Sequence, residues 1–356
     1  MKKHNYSAGP SILPQEVFEK SAQAILNFNN SDLSILEISH RSKDFVAVME
    51  EARALALELL GLEGKGYQAL FLAGGSSLEF LMAPYNLMKE NGKAAYLDSG
   101  TWASAAIKEA KFFGETVIVG SSKNENYNHV PKGYTIPTDA DYFHCTSNNT
   151  IFGTQMKDFP DVEIPMVCDM SSDIFSRSLD FSKFGIIYGG AQKNMGPAGT
   201  TLVVVKEEIL GKSGRHIPSM LDYEKHIKAE SMYNTPPVFP VYASLLTLQW
   251  LKNLGGIPAI EKINNAKADL LYTEIDRNPL FKGTAVIEDR STMNATFLLD
   301  TPLHTDTFNA MLKEAGIVGL PGHRSVGGYR ASMYNAMPFE SVQVLVEVMK
   351  DLENKI

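Results

Sequence analysis

The residues with the most chemical promise lie in Ala191-Gln192-Lys193-Asn194-Met195-Gly196-Pro197-Ala198-Gly199. Lys193 stands alone in a turn between two apolar runs, 184–188 and 200–205. A lysine at strand ends can form a Schiff base if its amine is kept neutral. An unperturbed lysine titrates near about 10.4, so the fold must lower that value. Upstream, the apolar run Met166-Val167-Cys168 ends in Asp169. A carboxylate there can keep a pyridine nitrogen protonated, and the two residues are the minimum kit for pyridoxal phosphate (PLP) chemistry. Singly, each has an ordinary explanation: a loop lysine is a solvated charge, and an aspartate after a strand is a helix cap. Their separation leaves room for one more strand. A right-handed crossover then brings both to the same edge of a parallel sheet.

The elements needed to place them are legible. Residues 1–13 read as irregular, with a turn at Gly9-Pro10. Pro14 opens a helix that runs to Leu26, and a second helix spans 43–60 with Gly61 at its end. Strands are then expected at 67–72, 94–97, 116–119, 142–145, 165–168, 184–188 and 201–205, with helices at 78–89 and 102–113. This alternation argues for an α/β fold with a mostly parallel central sheet covered on both faces. Residues 211–238 read as a long polar excursion. A helix at 240–254 breaks at Gly255-Gly256 and continues almost collinearly as 257–276. Strand, helix, strand, helix over 280–356 form a smaller α+β C-terminal unit. The expected division is a large domain, 1–256, whose N-terminal segment packs with the small domain, 257–356.

The chain has 356 residues, suggesting roughly two domains at about 150 residues each. Its formal net charge of −8 argues against nucleic-acid binding. No apolar run reaches the ~18 residues of a membrane span, and the N-terminus has no signal-peptide core. Cys145 and Cys168 lie in strand-like runs and read as buried free thiols of a reducing cytoplasm. No metal-site spacing occurs.

Other segments add binding groups. Gly74-Gly75-Ser76-Ser77 joins a strand to a helix, where backbone N–H groups and hydroxyls can cradle a phosphate. Trp102 follows a strand-to-helix turn and can stack on a pyridine ring; the alternative is a core tryptophan, as expected for Trp250. His40-Arg41, His323-Arg324 and Arg330 concentrate cations in turns, and arginine forks bind carboxylate or phosphate.

With these motifs assembled, and with Ser7–Pro14, Glu37–Arg41, Ser231–Pro237 and Gly322–Ser332, the chain resembles the phosphoserine aminotransferase family along essentially its whole length. These are class V, fold type I PLP-dependent enzymes. The resemblance implies that Lys193 bonds to PLP and shuttles a proton, Asp169 pairs with the ring nitrogen, and Trp102 stacks on the ring. Ser76, Ser77 and Gln192 would hold the cofactor phosphate, and Thr150 the ring's 3′ oxygen. Asn234 and Thr235 would reach the phosphate of a neighbouring subunit's cofactor, implying a homodimer with shared sites. Arg330 would bind the substrate α-carboxylate. His40, Arg41, His323 and Arg324 would bind its distal phosphate or carboxylate, some of them from the partner subunit. Ser77 is a departure, since some members carry Arg there.

The implied reaction is reversible amino transfer between glutamate and 3-phosphohydroxypyruvate in serine biosynthesis. The phosphohydroxythreonine pair of pyridoxine biosynthesis shares the distal phosphate. The alternative is another class V aminotransferase with a different acceptor. A cysteine desulfurase would need a reactive cysteine in a loop, and neither cysteine lies in one.

Overall fold

The computed structural model describes residues 3–356. Met1 and Lys2, which open the stretch expected to be irregular and to lack a signal-peptide core, lie outside the described residues. Helices α1 (Gln15–Leu26) and α2 (Lys43–Leu60) precede the sheet. The Ser42 side chain caps α2 by accepting from the Phe45 amide at 3.3 Å. Phe45, Val48, Met49, Ala52, Leu55 and Ala56 recur at helical spacing and are buried.

Seven strands form the central sheet: β1 (Tyr67–Leu72), β2 (Lys93–Asp98), β3 (Glu115–Ser121), β4 (Phe143–Thr146), β5 (Met166–Asp169), β6 (Ile186–Gly190) and β7 (Thr201–Lys206). Their order is β1-β7-β6-β5-β4-β2-β3. Helix α3 (Ser76–Leu87) follows β1, and α4 (Thr101–Ala110) follows β2. The sheet is buried on both faces by design of its alternation. Leu202 and Val204 face one core, and Val203 and Val205 face the other. All pairings are parallel except those of β7, which runs antiparallel to β1 and β6. The reason is the short 191–200 connection, which returns as a hairpin and cannot supply the roughly dozen residues of a parallel crossover.

After β7 the expected polar excursion contains a short helix, α5 (Tyr223–Lys228). Helices α6 (Val238–Asn253) and α7 (Gly256–Arg277) follow. Gly255 at φ 108° and Gly256 at φ 71° interrupt the helical path where a nearly collinear run is expected. The remainder is a three-stranded antiparallel sheet, β8 (Phe281–Gly283), β9 (Asn294–Leu299) and β10 (Tyr329–Ser332), with helices α8 (Thr305–Glu314) and α9 (Phe339–Lys355).

Two cores meet along α7. Ile257 and Ile260 belong to the large core, whereas Ala268, Leu271 and Ile275 join Phe297, Phe308 and Leu345 in the second. The N-terminal segment joins this second core through Tyr6 and Ile12. It is not irregular throughout: His4 and Asn5 pair in parallel with Ile317 and Val318. The Tyr6 hydroxyl donates to the Ser341 carbonyl at 2.6 Å. The chain then crosses to the turn of Lys193, where the Ser11 amide donates to the Gln192 carbonyl at 2.9 Å and its hydroxyl to the Lys193 carbonyl at 2.6 Å.

This crossing depends on Gly319, which has φ 75° and lies so close to Ser7 that a Cβ would approach the Ser7 amide nitrogen to 2.6 Å. Gly319→Ala should therefore cost about 2 kcal/mol of stability, combining backbone strain with the clash. Chemical denaturation checks this; an unchanged midpoint would mean that the N-terminal segment is not anchored there.

Candidate active site

The C-terminal ends of β1, β2, β4, β5 and β6 point to one side of the sheet and surround a cavity of about 390 Å³. Loops at this edge are where open α/β sheets place ligands. Of the residues singled out in the sequence, Ser76, Ser77, Trp102, Thr150, Asp169, Gln192, Lys193, His323 and Arg330 border it.

Lys193 sits in the β6–β7 turn, which is tied by the Met195 and Gly196 amides donating to the Ala191 carbonyl. Gly9 faces its aliphatic stem, and a Cβ on Gly9 would make ordinary contact with its Cγ at 3.5 Å. Lys193 Nζ donates to Thr150 Oγ1 at 3.0 Å. Burial lowers its pKa to about 8; Asp169 opposes the shift and the Arg330 charge adds to it. The shift towards the neutral amine that the sequence chemistry requires thus comes mainly from desolvation.

Asp169 ends β5, directly beside β6 in the sheet. Burial raises its pKa, while a hydrogen bond from Ser171 and the Lys193 charge oppose that. Ser171 donates to Oδ1 from both its amide, at 2.9 Å, and its hydroxyl, at 2.5 Å. Oδ2 takes no protein donor among the described residues. A protonated ring nitrogen against that oxygen would complete its coordination and hold the carboxyl ionised.

The phosphate cradle is built from backbone. Gly75 precedes α3 at φ 72°, a conformation that favours glycine, and no side chain caps the helix. The amides of Ser76 and Ser77 have no protein acceptor among the described residues, so the helix start offers N–H groups and a positive dipole end. Ser76 Oγ also meets Ser171 Oγ at 2.8 Å, linking the cradle to Asp169. Trp102, in the first turn of α4, is 39% exposed despite being a tryptophan, which suits a ring awaiting a planar partner. Two further buried atoms at the cavity, Thr146 Oγ1 and Arg330 Nε, have no hydrogen-bond partner among the described residues. The size, the open oxygen, the uncapped helix and these unpartnered atoms all fit bound PLP.

Arg330 lies on β10 and donates from Nη1 to the Thr150 carbonyl at 3.3 Å. Burial lowers its pKa. His323 Nδ1 accepts from the Ser325 amide at 3.2 Å. A neutral His323 ring therefore carries its proton on Nε2, able to donate. Its pKa is lowered by burial and then by the charges of Arg330 and Arg324.

Five expected residues do not border this cavity. Arg41 and Arg324 are exposed, and His40 is half-buried in the loop before α2. Asn234 and Thr235 are exposed and border a separate cavity of about 230 Å³ next to β1. Sequence reasoning missed Ser171, Thr146 and the Gly9 backbone. Ser171 had a usable signal, since a serine two residues after a strand-end aspartate can bond back to it. Gly9 and Thr146 had none.

Because burial sets the Lys193 pKa, the rate at which cofactor-free protein covalently captures added PLP should rise with pH and level off above about 8. Absorbance of the bound cofactor follows it. A rise continuing towards about 10, the range of a solvated lysine, would contradict this tuning.

The chain matches known proteins along essentially its whole length. The aminotransferase class-V family model matches residues 4–345. Phosphoserine aminotransferase from Flavobacterium psychrophilum is 84% identical over 356 residues, covering all of both chains. The structure of phosphoserine aminotransferase from Bacillus circulans subsp. alkalophilus superposes with a TM-score of 0.96 at 43% identity, covering 99% of each chain. PLP-bound phosphoserine aminotransferase from Trichomonas vaginalis gives a TM-score of 0.93 at 35% identity, covering 98% of this chain and 100% of that one. The central sheet is accordingly that of a fold type I PLP-dependent enzyme, and PLP is its cofactor. This chain belongs to the class-V aminotransferase family, among its phosphoserine aminotransferases.

Proposed function

We propose that the chain moves an amino group reversibly between glutamate and 3-phosphohydroxypyruvate, giving 2-oxoglutarate and phosphoserine. The meeting of Lys193, Asp169 and Arg330 around one cavity carries this reading, in a chain whose full-length relatives bear the phosphoserine aminotransferase name. When bound, PLP supplies the carbonyl that receives the amino group and a ring that withdraws electrons from the substrate α-carbon. Ser76, Ser77 and Gln192 hold its phosphate, Trp102 covers the ring, and Thr150 donates to the ring oxygen. Asp169 keeps the proton on the ring nitrogen. Lys193 Nζ takes the α-proton as general base and returns it, with a pKa near 8 suited to both directions. Arg330 grips the α-carboxylate common to every substrate.

The distal anion needs more cations than His323 alone. Arg324, His40 and Arg41 complete the set in this reading, some from a second copy of the chain. Asn234 and Thr235 likewise serve the phosphate site of that second copy. Their exposure beside exposed Met220 and Tyr233 supports an interface there. The phosphohydroxythreonine pair fits the same distal site. Two free, buried thiols, Cys145 and Cys168, suit the reducing cytoplasm.

Arg330→Ala should depress the glutamate and phosphoserine half-reactions alike, by roughly one to two powers of ten in kcat/KM. Arg324→Ala should depress phosphoserine more than glutamate, because a dianionic phosphate leans harder on that charge than a carboxylate does. Equal losses for both substrates would point to a class V aminotransferase with another acceptor. Subunit sharing has its own check by complementation. Lys193→Ala protein mixed with Asn234→Ala/Thr235→Ala protein should regain activity, since a mixed dimer holds one site with both elements intact. An active monomer in sedimentation would refute sharing.

A further inference from the structure

The turn 333–337 directly follows β10, the strand that carries Arg330. A buried cation holds it. Lys267, in the middle of α7 and fully buried, donates from Nζ to the carbonyls of Tyr334 at 2.8 Å, Met333 at 3.0 Å and Met337 at 3.3 Å. No carboxylate pairs with it among the described residues. Three acceptors match the three N–H bonds of an ammonium, whereas a neutral amine has only two. Burial opposes that match and pushes the pKa down to about 7. A methionine would fill similar space without the cost of burying a charge.

Asn264 lies about one turn earlier on α7 and donates to Asn335 Oδ1 at 2.9 Å and to the Ser176 carbonyl at 3.0 Å. Asn335 in turn donates from its amide to Asn194 Oδ1 at 3.0 Å and from its side chain to the Phe175 carbonyl at 2.9 Å. Asn194 is the residue after Lys193. The Tyr334 hydroxyl donates to the Ala8 carbonyl at 2.7 Å, next to the glycine facing the lysine stem. The turn therefore ties the strand of Arg330 to the turn of Lys193, and α7 grips it from behind.

We propose that Lys267 and Asn264 are positioning residues of the reaction, holding the 333–337 turn so that Arg330 stays in register with the Lys193 amine. This rests on Arg330 as the α-carboxylate ligand. Binding through that carboxylate is common to ground and transition states, so its loss moves KM more than kcat.

The test uses the PLP-loaded enzyme carrying Lys267→Met. KM for glutamate and for phosphoserine should each rise about tenfold, with kcat within about threefold. In the cofactor-free protein, hydrogen exchange should quicken in a peptide covering 330–337 and stay unchanged in β5 and β6. A folded variant that melts earlier but keeps both KM values would show a purely structural role and overturn the proposal. Should Lys267→Met fail to fold, Asn264→Leu loosens the same turn through Asn335, and unchanged KM values there overturn it equally. Arg330→Ala separates the two readings. If it too leaves KM unchanged, the proposal falls with the assignment of Arg330. If it raises KM while both α7 variants do not, only the positioning role falls.

Discussion

Burial is the interaction on which the rest of this structure depends, for it keeps the Lys193 amine dry and brings its pKa down towards neutrality. Desolvation dominates its lowered pKa. The sheet edge alone would leave the β6–β7 turn open. The N-terminal segment closes it, with Gly9 facing the lysine stem and Ser11 bonded to the Gln192 and Lys193 carbonyls. That segment is in turn fixed to the second core by Tyr6, Ile12 and a short parallel pairing. Lys193 is thus covered by a stretch that shares the second core.

The same burial acts on Asp169 with the opposite sign, because desolvation disfavours whichever form is charged. Its pKa is raised, and only Ser171 and the Lys193 charge restrain it. Two buried groups of opposite charge type thereby move towards each other in pKa, the kind of perturbation that marks a functional site. Neither spends its free atoms on the other: Lys193 Nζ bonds to Thr150, and Asp169 leaves Oδ2 open. The ring that fits between them supplies what each lacks.

Mechanical continuity matters as much as charge. Helix α7 contributes to both cores, and its polar residues Asn264 and Lys267 face the junction between them. Buried polar bonds are directional, whereas apolar contacts tolerate sliding. A junction made of them holds β10, the strand of Arg330, at a defined offset from the sheet edge. The clustering of Asn194, Asn264, Asn335 and Tyr334 at this point follows the same logic.

Much of this was legible in the chain itself. Alternating strands and helices with continuous apolar runs such as 201–205 give a sheet buried on both faces, and Gly61 marks the end of α2. Lys193 in a turn, Asp169 at a strand end and Gly-Gly-Ser-Ser before a helix announce their chemistry because the roles follow from residue type and local position. Tertiary structure decided what depends on residues distant in sequence. The antiparallel course of β7, the strand at His4–Asn5, the closure of the lysine by Gly9, and the Lys267 cage each join segments separated by long stretches of chain or turn on connection geometry. Nor could spacing say that Asn234, Thr235 and Arg324 would fall outside the Lys193 cavity. Local pattern reports which face of an element is apolar; it carries no distance between elements, and burial, which sets the pKa values of this site, exists only once those distances are fixed.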